Sequence, residues 1–88
     1  MVFANKKIFK NASGDIHVGN NSPDNFTEAT IEDVKKALKN LNGKKLWRCH
    51  VCNDLSIISV PPKICPTCFQ EEAYVEINEK EFRNFLEI

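Results

Sequence analysis

Two C-x-x-C pairs, one stretch of helical period and three short β-rich runs predict a small, metal-stabilised α+β fold. The sheet is expected to hold three antiparallel strands, with a helix before it and a short helix after it. The chain has 88 residues, enough for one domain with a thin core. A metal would then be a major stabiliser, because structural Zn²⁺ contributes roughly 10–16 kcal/mol in small peptides. Residues 1–44 read as a polar leader plus an amphipathic helix over about 30–42. Residues 45–88 read as the metal module with its C-terminal helix.

The leader, residues 1–26, is rich in Asn. Within it, Ile8-Phe9-Lys10 and Ile16-His17-Val18 flank Asn11-Ala12-Ser13-Gly14-Asp15, which fits a hairpin with Gly14 in the left-handed position. Gly19-Asn20-Asn21-Ser22-Pro23-Asp24-Asn25 is turn and linker chemistry. From Thr30 the period changes: Ile31, Val34, Leu38 and Leu41 recur at the spacing of one helix face. Thr30 is the expected N-cap with Asp33 at the third helical position, and Asn42-Gly43 is the expected stop. Lys35, Lys36 and Lys39 read as a solvated face that complements the helix dipole.

Lys45-Leu46-Trp47-Arg48-Cys49 reads as a strand entering the first cysteine turn. Ser56-Ile57-Ile58-Ser59-Val60 is a second strand, which Pro61-Pro62 ends. Ala73-Tyr74-Val75-Glu76-Ile77 is the third. In the tail, Asn78 is an N-cap with Glu81 three residues on, Ile77 and Phe82 are placed as a hydrophobic staple, and Phe82, Phe85 and Leu86 form an apolar stripe.

Lys+Arg and Asp+Glu both total 12, so the formal charge is zero. That balance argues against a dedicated nucleic-acid binder and favours protein partners. Four thiolates with a divalent metal bring the chain near −2, and with a ferric ion near −1. No stretch is long and apolar enough to span a membrane, and no apolar run at the N-terminus resembles a signal peptide. A cytoplasmic location follows as an expectation, and there paired cysteines bind metal more often than they form disulfides.

Cys49-His50-Val51-Cys52 and Cys65-Pro66-Thr67-Cys68 contain the only four cysteines, separated by 12 residues. Two such turns face each other with four thiolates at the corners of a tetrahedron, the geometry that Zn²⁺ or a single iron demands. The turn favours a left-handed residue just after its second cysteine, where Asn53 and Phe69 stand. Asn tolerates that conformation, whereas Phe there costs on the order of 1 kcal/mol.

Trp47-Arg48-Cys49-His50-Val51-Cys52, the 12-residue spacer and Pro62-Lys63-Ile64-Cys65-Pro66-Thr67-Cys68 resemble the rubredoxin-like domain at the C-terminus of rubrerythrins, over residues 45–77. The resemblance implies a rubredoxin-like or zinc-ribbon fold in which Cys49, Cys52, Cys65 and Cys68 hold one iron that shuttles single electrons. It implies an electron carrier, or an accessory electron-transfer subunit with a protein redox partner or a larger enzyme. The family's glycines after the second and fourth cysteines are Asn53 and Phe69 here, and the Glu-x-x-His pairs of the di-iron bundle are absent. A peroxidase activity is therefore not implied.

A structural zinc ribbon that binds protein is the alternative, and a cubane iron–sulfur cluster is a third option. His50 is expected to point outward, His17 has no partner cluster nearby in the sequence, and the aromatics Trp47, Tyr74, Phe82 and Phe85 are expected to pack around the metal. No Ser-His-Asp set, phosphate loop or carboxylate pair stands out. A closed four-thiolate site leaves no position for a small-molecule substrate, so no enzyme activity is expected of the chain alone.

Overall fold

The computed structural model describes residues 6–88. Residues 1–5, which hold most of the stretch read for a signal peptide, lie outside them. The elements are β1 (Lys7–Lys10), β2 (Ile16–Gly19), β3 (Thr27–Glu28), α1 (Ile31–Lys39), β4 (Lys45–Cys49), β5 (Leu55–Ile58), β6 (Tyr74–Ile77) and α2 (Glu79–Leu86).

All six strands belong to one antiparallel sheet, in the order β3-β1-β2-β5-β4-β6. The sheet thus has six strands rather than the three that the sequence predicts. Those three are present as β5-β4-β6, but the second edge of β5 is occupied. β2 lies along it, with Ile16 opposite Ile57, His17 opposite Ser56 and Val18 opposite Leu55. An open edge on β5 would leave a row of N–H and C=O groups to water, and the leader hairpin covers it. All four residues of β2 are buried, as a central strand requires.

Alternation along the strands gives the two faces different work. Ile8, Ile16, Val18, Leu46, Leu55 and Ile57 share a core with Val34 and Leu38 of α1 and Phe82 and Leu86 of α2. Phe85 packs against the same core. Phe82 and Phe85 therefore lie on the helix side, not around the metal as their sequence position leads one to expect. By the strand register, the opposite face carries His17, Ser56, Trp47, Cys49 and Tyr74.

The hairpin of β1 and β2 turns where Asn11 and Gly14 predict it. Asn11 Oδ1 accepts from the backbone N–H groups of Ser13 and Asp15 at 3.0 and 2.9 Å, and Gly14 has φ +81°. At the start of α1, the Asp33 carboxylate accepts from Thr30 N at 2.9 Å and from Thr30 Oγ1 at 3.2 Å. The helix leaves its path at Asn40, earlier than the sequence predicts. Asn42 and Gly43, at φ 54° and 86°, instead form the centre of a turn closed by Lys44 N donating to Leu41 O at 2.9 Å. Two consecutive positive φ values are the mark of a type I′ turn, for which Asn-Gly is the preferred pair. That turn aims the chain into β4.

Candidate metal centre

Each cysteine pair sits on a knuckle built from the same backbone bonds. In the first, Asn53 N donates to Cys49 O at 2.8 Å and Cys49 N donates to Asp54 O at 2.8 Å. In the second, Phe69 N donates to Cys65 O at 2.8 Å and Cys65 N donates to Gln70 O at 3.1 Å. The residue after each second cysteine is left-handed, Asn53 at φ 67° and Phe69 at φ 61°, as the turn requires. The first knuckle grows from the end of β4. His50 N, donating to Ala73 O at 2.9 Å, ties it to the chain entering β6.

The four sulfurs all lie within 4.8 Å of one another. Cys49 Sγ is 3.7 Å from Cys68 Sγ, and Cys52 Sγ is 3.6 Å from Cys65 Sγ. A metal–sulfur bond of about 2.3 Å puts the edge of a regular tetrahedron at about 3.8 Å. The sulfurs are too far apart for disulfides, which need about 2.05 Å. The residues present therefore fit one tetrahedral metal ion. Cys49 and Cys65 are buried, while Cys52 and Cys68 are partly exposed. A surface cleft of about 440 Å³, lined by Lys10, Ser13, Asp33, Lys36 and Lys44 among others, shares no residue with the cluster.

The thiols differ in how readily they ionise. Burial is the main cause that pushes Cys65 and Cys52 up, while the Gln70 N–H holds Cys68 down. The Asp54 N–H plays the matching part at Cys52, and the Thr67 and Cys68 N–H groups act on Cys65. These N–H groups are the ones that stabilise thiolate charge when a metal binds. Tyr74, whose hydroxyl donates to Cys65 Sγ at 3.7 Å, is pushed up by burial and by that neighbouring sulfur.

Behind Cys65 lies a buried polar set that sequence reasoning missed. Asp54 is fully buried, with its Oδ1 2.7 Å from Lys6 Nζ and its Oδ2 3.1 Å from His17 Nε2. Thr67 Oγ1 donates to the same Oδ2. Cys65 Sγ is 3.8 Å from it. His17 Nδ1 in turn lies 2.9 Å from Ser56 Oγ. Ser56, His17 and Asp54 thus meet in space although the sequence shows no such set. All three are buried (2%, 1% and 0% exposed), so the serine hydroxyl has no access to a substrate. The arrangement is a buried hydrogen-bond chain, not a nucleophile with its base.

Burial alone would raise the Asp54 carboxyl, but hydrogen bonds from His17, Lys6 and Thr67 outweigh it and hold it down at about 2. Gly19 is the one linear hint: a Cβ there would collide with Asp54 Oδ2, so only glycine leaves room for the carboxylate. The leader also touches the second knuckle directly, through Asn21 Nδ2 donating to Pro66 O at 3.3 Å. On the first knuckle, Arg48 Nη1 donates to Asn53 Oδ1 at 3.0 Å while its guanidinium lies 5.4 Å from the Phe85 ring, linking α2 to the cysteine turn.

His50 is exposed and outside the cluster, as expected. Trp47 donates its indole N–H to Ile58 O at 2.9 Å and stays in the sheet, so among the four aromatics Tyr74 alone packs at the sulfurs. No described helix is long and apolar enough to cross a membrane. Comparison with known proteins finds no matching family model, no matching curated protein and no matching solved structure.

Proposed function

We propose that this protein is a small rubredoxin-like metalloprotein in which Cys49, Cys52, Cys65 and Cys68 hold one iron. It would serve as an electron carrier or as an accessory electron-transfer subunit of a larger redox enzyme. The observation that carries the reading is the closed cluster itself, four sulfurs within 4.8 Å on two knuckles with the same backbone bonding. The likeness of residues 45–77 to the rubredoxin-like module of rubrerythrins favours iron over zinc. Iron so bound supplies one-electron chemistry between its ferrous and ferric states.

The protein's own part is to hold the sulfurs, keep solvent from two of them and present the other two. Cys49 and Cys65 are buried, and Cys52 and Cys68 are partly exposed. With iron bound, Cys52 and Cys68 would be the ligands through which an electron could reach a docked protein. Four protein ligands leave no coordination position for water or substrate, so the chain acts as a carrier and not as an enzyme by itself.

Protein purified anaerobically from its native host separates iron from zinc. A red protein that bleaches with dithionite is the expected result. A colourless protein with one equivalent of zinc overturns the electron-carrier reading and leaves a structural zinc ribbon. Metal acquired in a foreign host does not decide it, because thiolate sites take whichever metal is available.

A further inference from the structure

We propose that Asp54 is a positioning residue of the metal centre that opposes the build-up of negative charge on the four thiolates, with Lys6 as its counter-charge. The proposal needs only that the four cysteines bind a metal; its iron arm also uses the reading above.

Three side chains from separate parts of the chain meet at this one carboxylate. Lys6 precedes β1 and places Nζ 2.7 Å from Oδ1. His17 of β2 and Thr67 of the second knuckle both hold Oδ2. Gly19 omits the Cβ that would collide with it. An ionised carboxylate at 0% exposure is costly to bury, and here Lys6, His17 and Thr67 together offset that cost. Lys6 Nζ pairs with the carboxylate at 2.7 Å, and its other oxygen lies 3.8 Å from the Cys65 sulfur. Once Cys65 binds metal it has no proton to give, so the contact becomes one between two negative groups.

The sign of the effect follows from charge balance. Four thiolates with ferric iron carry −1, and one electron takes them to −2. Asp54 opposes that step and Lys6 favours it. Binding of a divalent ion by four thiols releases four protons and takes the site from neutral to −2. Asp54 therefore opposes loading as well, and Lys6 again favours it.

Asp54→Asn and Lys6→Gln should act in opposite directions. In iron-loaded protein the midpoint potential should rise with D54N and fall with K6Q. T67V, which removes the hydroxyl on Oδ2 but leaves both charges, should move it least. With Co²⁺ as the probe at fixed pH, followed through its tetrahedral absorption, D54N should bind several-fold tighter and K6Q several-fold weaker. K6Q keeps the His17 and Thr67 contacts to Asp54, so a result remains in hand if D54N folds poorly. If D54N and K6Q shift the potential the same way, or both weaken Co²⁺ binding with the potential unmoved, Asp54 is only a structural tie and the proposal fails. Zinc in the native protein would overturn the electron-carrier reading, yet the opposite Co²⁺ shifts would still stand.

Discussion

Gly19 lies in a strand where no turn or positive φ asks for glycine. Its reason is across the sheet, in the Asp54 carboxylate that occupies the place of its missing side chain. Gly19→Ala should force that carboxylate off Lys6 and His17, at a cost of about 1–3 kcal/mol for overpacking. The measurement is the urea midpoint of metal-loaded protein; a midpoint equal to that of the parent would show that the carboxylate has room to move. At this scale the four-cysteine cluster could be read from the sequence because a C-x-x-C turn is local: four residues determine it. The same holds for Asn53 and Phe69, whose left-handed backbone follows from the turn alone. Asp54 could not be read. Its partners Lys6 and His17 stand 48 and 37 residues away, and nothing in the linear order brings them together.

Among the elements, α2 is the one whose signals act most independently. Asn78 Oδ1 accepts from Glu81 N at 2.8 Å, closing the first turn, while the fully buried Phe82 anchors the helix in the core. Asn78→Ala should cost about 1 kcal/mol. Chemical denaturation monitored by far-ultraviolet circular dichroism checks it, and no loss would mean that packing through Phe82 alone sets the helix. The ends of such elements were less readable than their centres. β4 keeps the bounds predicted for it because burial fixes it near both ends, Leu46 on the helix-side face and Cys49 on the cysteine-side face. α1 stops early because Asn42 and Gly43 serve a turn instead of a helix cap, and both uses draw on the same left-handed tolerance. β3, two residues long and exposed, carries no pattern that periodicity can detect.

At the scale of the whole molecule, the hairpin and the cysteine knuckles share one sheet and one buried carboxylate. β2 pairs with β5, Lys6 and His17 hold Asp54, and Thr67 reaches Asp54 from the second knuckle. Removing the metal with a chelator should therefore raise amide exchange in β1 and β2 as well as in the knuckles. Protection that persists in the hairpin while the knuckles lose theirs would show two independent units. The six-stranded sheet escaped sequence reading because strand partners are chosen by edges and faces, which exist only after folding. Ile16 and Val18 announce a strand, but nothing near them names β5 as the neighbour.

The pairing of β2 with β5 also sets an order on synthesis. β2 is complete at Gly19 and its partner only at Ile58, a gap of 58 − 19 = 39 residues. At about 5–20 residues per second, the ribosome takes about 2–8 s to cross it. Throughout that interval the hairpin has one bare edge, open to any extended chain that drifts past. Cys68 follows later still, so the metal can bind only after β5 is available to cover that edge. The newborn chain is thus most exposed to mispairing in its first half, long before its cysteines can help it.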